Sequence, residues 1–146
     1  HFLATSGDGG IILYAWEQVE KHILAMSDGS PPPLSKYRTH ISHQVVEINA
    51  FDTNADGHIF GASGDAFGCY KWDIDSEKLL NTYCSPHHGY LHSVKVAGVT
   101  SSAGHSNVLI GGEDGVLGVW DGKQDKLVEN IALKRTMDSA GSLMRG

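Results

Sequence analysis

Residues 111–121, GGEDGVLGVWD, decide the fold. Four glycines fall within residues 111–118, which suits either a phosphate-cradling loop or a tight turn between two strands. A dinucleotide loop needs a helix behind it, whose first N–H groups face the pyrophosphate. Here the β-branched and aromatic run Val116-Leu117-Gly118-Val119-Trp120 follows, and that is a strand. No Gly-Lys-Ser/Thr closes the glycines, so a nucleotide P-loop is excluded as well. The stretch reads as a hairpin turn.

The same pattern occurs three times, anchored on Trp16, Trp72 and Trp120. FLATSGDGGIILYAW has an apolar strand, a glycine-rich acidic turn and a strand ending in Trp16. IFGASGDAFGCYKWD repeats this up to Trp72-Asp73, and VLIGGEDGVLGVWD up to Trp120-Asp121. IDSEKLLNTYC follows the second unit and GKQDKLVENIAL the third, each a polar turn, a Lys-Leu pair and a short strand. QVVEINAF and YLHSVKVA precede them, and Asp56-Gly57 joins the first of these to the next strand as a hairpin signal.

Each complete unit is thus four short antiparallel strands. They are expected near 44–51, 58–64, 68–73 and 78–84, and again near 91–97, 107–113, 116–121 and 126–132. Five segments follow: a partial first unit at 1–25, a proline-rich excursion at 26–43, a second unit at 44–85, a third at 86–133, and a loop or frayed end at 134–146. Pro31-Pro32-Pro33 excludes a helix and a ladder strand from the excursion. The chain opens at His1 in a strand-like run without a Met, so it reads as a piece of a longer protein.

Composition narrows the function. The 146 residues suffice for one domain with a core, and 40% hydrophobic against 19% charged residues is a globular balance. A net charge of −6 argues against a chain whose main work is gripping a phosphate backbone. Lys123, Lys126, Lys134, Arg135 and Arg145 cluster late in the chain and read as a solvated basic end. Cys69 and Cys84 are too few for a secreted disulfide scaffold, which favours a reducing compartment. No run is long enough for a membrane helix, and no signal or transit peptide is visible.

Catalytic patterns are missing where chemistry would need them. His87, His88 and His92 are close, as are His40 and His43, but neither His-Glu-x-x-His nor a paired Cys-x-x-Cys accompanies them. No Gly-x-Ser-x-Gly elbow presents a nucleophile, and SSAG at 101–104 reads as a flexible loop. No enzyme activity, cofactor, metal or small-molecule substrate is expected.

Four-stranded units recurring every 40 to 50 residues with a Trp-Asp ending resemble the blades of WD-repeat β-propellers. The resemblance implies an all-β fold of about two and two-thirds blades. It also implies a blade network in which a His, a Ser or Thr, a turn Asp and the Trp share hydrogen bonds. In the third blade these positions are His87, Ile110, Asp114 and Trp120, so the hydroxyl is missing and the network is expected to be incomplete. Pro86 stands where the family usually has Gly. The second blade has Asp65 and Trp72, with His40 or His43 as third member, and the first has Asp8 and Trp16. The implied role of all of these is structural.

Within the WD-repeat proteins, several stretches are similar to the family of THO complex subunit 6. They are Tyr37-Arg38-Thr39, Glu47-Ile48-Asn49-Ala50, Tyr90-Leu91-His92 and Gly111-Gly112-Glu113-Asp114-Gly115 leading to Trp120-Asp121. The resemblance spans roughly residues 1–133. It implies a nuclear, non-catalytic subunit of the THO/TREX assembly, which couples transcription to mRNA processing and export. Its partners would be other THO subunits, with RNA contacted indirectly and no membrane involved. A rival reading is a substrate receptor of a cullin-type ubiquitin ligase, through Trp120-Asp121-Gly122-Lys123. There Lys replaces the usual Arg and cannot reproduce its planar fork. An unspecialised WD-repeat scaffold is the third. The usual binding face of the fold would present His43, Gln44, Ala66, Phe67 and Tyr90, with Phe67 as an aromatic anchor.

Overall fold

The computed structural model describes residues 1–25, 29, 31–39, 45–64, 68–83, 89–98 and 106–132. Among the described residues, eleven strands form three antiparallel sheets. Sheet one holds β1 (Phe2–Thr5), β2 (Ile12–Ala15) and β3 (Tyr37–Arg38) in that order. Sheet two runs β4 (Ile48–Thr53), β5 (His58–Ser63), β6 (Cys69–Asp73) and β7 (Lys78–Tyr83). Sheet three repeats it with β8 (Leu91–Ala97), β9 (Asn107–Gly112), β10 (Val116–Asp121) and β11 (Lys126–Ala132). Among the described residues the fold is all-β apart from one helix, α1 (Trp16–Leu24).

Turn chemistry explains why the sequence folds back where it does. In the β4–β5 turn, Asn54 Oδ1 accepts the N–H groups of Asp56 (3.1 Å) and His58 (2.9 Å). Gly57 closes that turn at a φ of 81°, which a side chain resists. After each Trp-Asp the aspartate caps the next turn. Asp73 Oδ1 accepts Ser76 N–H at 2.7 Å, and Asp121 Oδ1 accepts the N–H groups of Lys123 and Gln124 at 2.8 and 2.7 Å. The side-chain and backbone hydrogen bonds from Ser76 hold the Asp73 carboxyl below its ordinary pKa. Both turns end on a residue with left-handed backbone, Glu77 (φ 59°) and Asp125 (φ 55°).

Two features of the first unit differ from the sequence expectation. Trp16 opens a helix instead of ending a strand. Glu17 follows it where the other two units have a turn-capping Asp, and the run WEQVEKHIL is rich in helix formers. Glu17 in the first turn and Lys21 and His22 in the last suit the helix dipole. The second difference lies inside the proline-rich excursion. Tyr37 and Arg38 pair with Leu13 and Ile12 and supply the outer strand of sheet one. The prolines keep 31–35 out of regular structure, but their effect does not reach Tyr37.

Alternating side chains of sheet two bury against opposite neighbours, as a period of two requires. Ile48, Ile59, Tyr70 and Trp72 pack with Ile11, Leu13 and Tyr37 of the first unit. Phe60, Ala62, Cys69 and Tyr83 pack with Leu91, Val94, Val108, Ile110 and Trp120 of sheet three. Polar ties join the inner strands β4 and β8: Asn49 Nδ2 donates to Leu91 O (2.9 Å), and Asp52 Oδ2 accepts Val96 N–H (2.9 Å). Lys95 Nζ lies 2.8 Å from the same carboxylate oxygen.

Burial opposes the Asp52 charge, but the Lys95 hydrogen bond, the Val96 and Thr53 N–H groups and the Lys95 charge outweigh it and lower its pKa. A carboxyl depressed in the folded state stabilises above its unfolded value, about 3.9. That contribution fades as pH falls through the folded value. Asp52→Asn is therefore expected to flatten the loss of stability below about pH 4, measured by urea unfolding across an acid series. An unchanged acid slope would remove Asp52 from the inter-sheet tie.

Candidate functional site

The turn between β9 and β10 holds the opening stretch. Gly115 takes a φ of 71° and donates to Gly112 O at 3.2 Å. Asp114 Oδ1 accepts Val116 N–H at 3.1 Å, so the turn's own backbone supplies a donor to this carboxylate. Gly112 is pressed from two sides: a Cβ there would stand 3.0 Å from Tyr90 O and 3.1 Å from Asp114 Oδ1. Glu113 N–H donates to Tyr90 O at 2.9 Å, and Glu113 Oε1 accepts Tyr90 N–H at 3.1 Å. The approach to β8 is thereby tied to the turn, and the Tyr90 ring stands out at 44% exposure, 6.4 Å from the His92 ring.

The tryptophans differ in setting. Trp72 is fully buried against Tyr70, with ring centroids 5.6 Å apart. Trp120 is 8% exposed and meets Tyr83 edge-on at 4.9 Å. Trp16 is 40% exposed at the head of α1, and Asp8 is exposed in the β1–β2 turn. That turn accepts a bond from sheet two, Ile48 N–H to Gly7 O at 3.1 Å. His87, Asp65, His40, His43, Gln44, Ala66 and Phe67 lie outside the described residues.

One polar atom stands out: Trp120 Nε1 is buried with no hydrogen-bond partner among the described residues. Ile110, fully buried on the same face of sheet three, brings methyl groups to the position where the resemblance implies a hydroxyl. An orphaned buried donor costs about 1–3 kcal/mol. Trp120→Phe removes that donor along with part of the ring, so the two effects oppose each other. Its net cost in urea unfolding is expected to stay below about 1 kcal/mol. A loss above about 2 kcal/mol would show that the indole N–H is satisfied.

The residues not foreseen from sequence lie between sheets two and three. Lys71, 5% exposed, donates to Asp125 Oδ1 and Gly122 O, both at 3.0 Å. Tyr83 OH donates to the same Asp125 oxygen. Burial, then Asp125, push the Tyr83 hydroxyl far above its ordinary pKa, so it stays protonated and a donor. These side chains tie strands together. Among the described residues, no three His, Cys, Asp or Glu side chains converge on a metal-sized site, and no helix is long and apolar enough to cross a membrane.

No protein-family model matches the chain. Over 88 residues, 60% of the chain, it is 38% identical to THO complex subunit 6 from Arabidopsis thaliana, and it spans 22% of that protein's length. It superposes on the crystal structure of the WD40 β-propeller domain of Doa1 with a TM-score of 0.63 and 18% identity, covering 91% of this chain and 37% of that one. At that identity the likeness speaks for the fold alone. With three meandering sheets packed against one another, the chain has the WD40 β-propeller fold and is similar in sequence to THO complex subunit 6.

Proposed function

We propose that the chain contributes blades to a non-catalytic WD-repeat scaffold within a THO-type complex in the nucleus. There it would support mRNA processing and export through protein–protein contacts. The observation that carries this reading is the 88-residue similarity to THO complex subunit 6, set on blade-forming sheets. The conspicuous polar groups support it, because Asp114, Asp73 and Asp121 each accept hydrogen bonds from turn backbone. The net charge of −6 favours contact with RNA through partner subunits. Affinity purification with mass spectrometry tests the reading: THO subunits are expected, and a cullin-ligase adaptor recovered without them would overturn it.

Tyr90 is the candidate anchor among the described residues. Its backbone carries both bonds to Glu113, so truncating the ring leaves the turn tied. Tyr90→Ala is expected to reduce partner recovery about tenfold or more with little change in stability. Recovery equal to that of the unmodified protein would exclude Tyr90 as an anchor.

A further inference from the structure

The register of the sheets makes Leu13, Cys69 and Leu117 equivalent, each three residues before its tryptophan. Their partners on the outer strands are Tyr37, Tyr83 and Ile131. Tyr37 and Tyr83 therefore occupy the same place in successive blades, although TYC at 82–84 and KYRT at 36–39 share little else. Each reaches the next blade at an equivalent point. Tyr37 OH donates to the backbone oxygen of Glu77 at 3.0 Å. Tyr83 OH donates to the carboxylate of Asp125. Glu77 and Asp125 are the left-handed residues that end the capped turns after Asp73 and Asp121.

We propose that this tyrosine-to-turn bond is a repeated inter-blade clasp: an outer-strand tyrosine fixes the last turn of the following blade and so sets the stagger between neighbouring sheets. The rings that carry the hydroxyls are buried, Tyr37 at 7% exposure and Tyr83 at 0%, and the bonds they make are part-buried. Burial and the neighbouring acid keep both phenols protonated, Glu77 for Tyr37 and Asp125 for Tyr83. The second clasp is reinforced, because Lys71 shares the Asp125 oxygen and reaches Gly122 O in the same turn. The ring edges also pack within the core, Tyr83 between Phe60 at 6.3 Å and Trp120 at 4.9 Å. A phenylalanine at position 83 keeps that packing and loses the hydroxyl, with its bond to Asp125 and its contact with the Asn81 side chain. In the third blade Ile131 holds the equivalent place, so the device stops there.

The clasp makes a local prediction that general packing does not. Amide hydrogen exchange on the intact protein reads each turn separately, through Gly122 and Asp125 in one and Ile74 and Ser76 in the other. Tyr83→Phe is expected to speed exchange at Gly122 and Asp125 about tenfold, since the lost bond is to a charged acceptor, while Ile74 and Ser76 stay within about twofold. Tyr37→Phe is expected to do the reverse, with a smaller rise of about threefold for a neutral acceptor. Asp125→Asn keeps an acceptor and tolerates the left-handed backbone, so it should hold protection nearer the parent than Asp125→Ala. Equal acceleration at both turns in either tyrosine variant, or none at the turn it faces, would overturn the clasp.

Discussion

Replacing Asp125 with alanine is expected to cost about 3–5 kcal/mol, whereas replacing Lys71 with methionine should cost less than about 1 kcal/mol. The two residues form one ion pair, Nζ to Oδ1 at 3.0 Å, so a contact-counting view would give them equal weight. Their surroundings differ. The Lys71 side chain is 7% exposed and its ammonium lies 5.8 Å from the Phe60 ring centroid, while the Asp125 side chain is 28% exposed. Without Asp125, the buried ammonium keeps Gly122 O alone among its described acceptors, and Tyr83 loses the acceptor for its hydroxyl. The alanine must also hold the left-handed backbone of position 125. Without Lys71, the carboxylate still has the Tyr83 hydroxyl and partial access to water. The methionine meets an apolar neighbourhood, and the equivalent residue of the third blade, Val119, shows that a β10-type strand accepts an apolar side chain there. Urea unfolding of the two single variants checks the asymmetry, and equal losses would show that the pair's attraction outweighs its desolvation.

Much of the architecture was legible because it rests on local chemistry. Asp56-Gly57 marks a hairpin, and the glycine run before Trp120 resolves into a turn once the following residues are read as a strand. Strand edges agree with the expected ones within a few residues, apart from β4, which starts at Ile48 and not near 44. Reading Trp16 as a third copy of Trp72 and Trp120 hid α1. The informative residue was the next one, Glu17, which cannot cap a tight turn as Asp73 and Asp121 do. The short strand Tyr37–Arg38 was hidden differently: two residues carry no periodicity, and only pairing with β2 defines them. The site is less legible still. Lys71 meets Asp125 across 54 positions and Tyr83 meets it across 42, distances at which sequence pattern carries no register. One signal was available, a lysine between Tyr70 and Trp72 on a strand buried on both faces, because a charge there demands a partner. Ile110 was readable as a missing hydroxyl, but that Trp120 Nε1 has no partner among the described residues required coordinates.

Trp72→Ala is expected to be the most damaging single truncation, about 3–5 kcal/mol or more, because the ring fills the space between the first two sheets with no exposed surface. Gly61 shows how closely that ring is fitted. A Cβ on Gly61 would lie 2.9 Å from Trp72 Cζ3, 3.1 Å from Ile11 Cδ1 and 3.3 Å from Ile48 Cδ1. Gly61→Ala should therefore cost about 1–3 kcal/mol through overpacking, although alanine suits a strand better than glycine does. The two positions must be coupled. Phenylalanine at 72 lacks the six-membered indole ring that carries Cζ3, and so opens the space the new methyl needs. The double variant Gly61→Ala/Trp72→Phe is expected to lose about 1 kcal/mol less than the sum of its single variants. Strict additivity in the unfolding data would mean that the sheets shift apart to accept the methyl. A positive coupling would instead locate the rigidity of this inter-blade contact in the Trp72 ring itself.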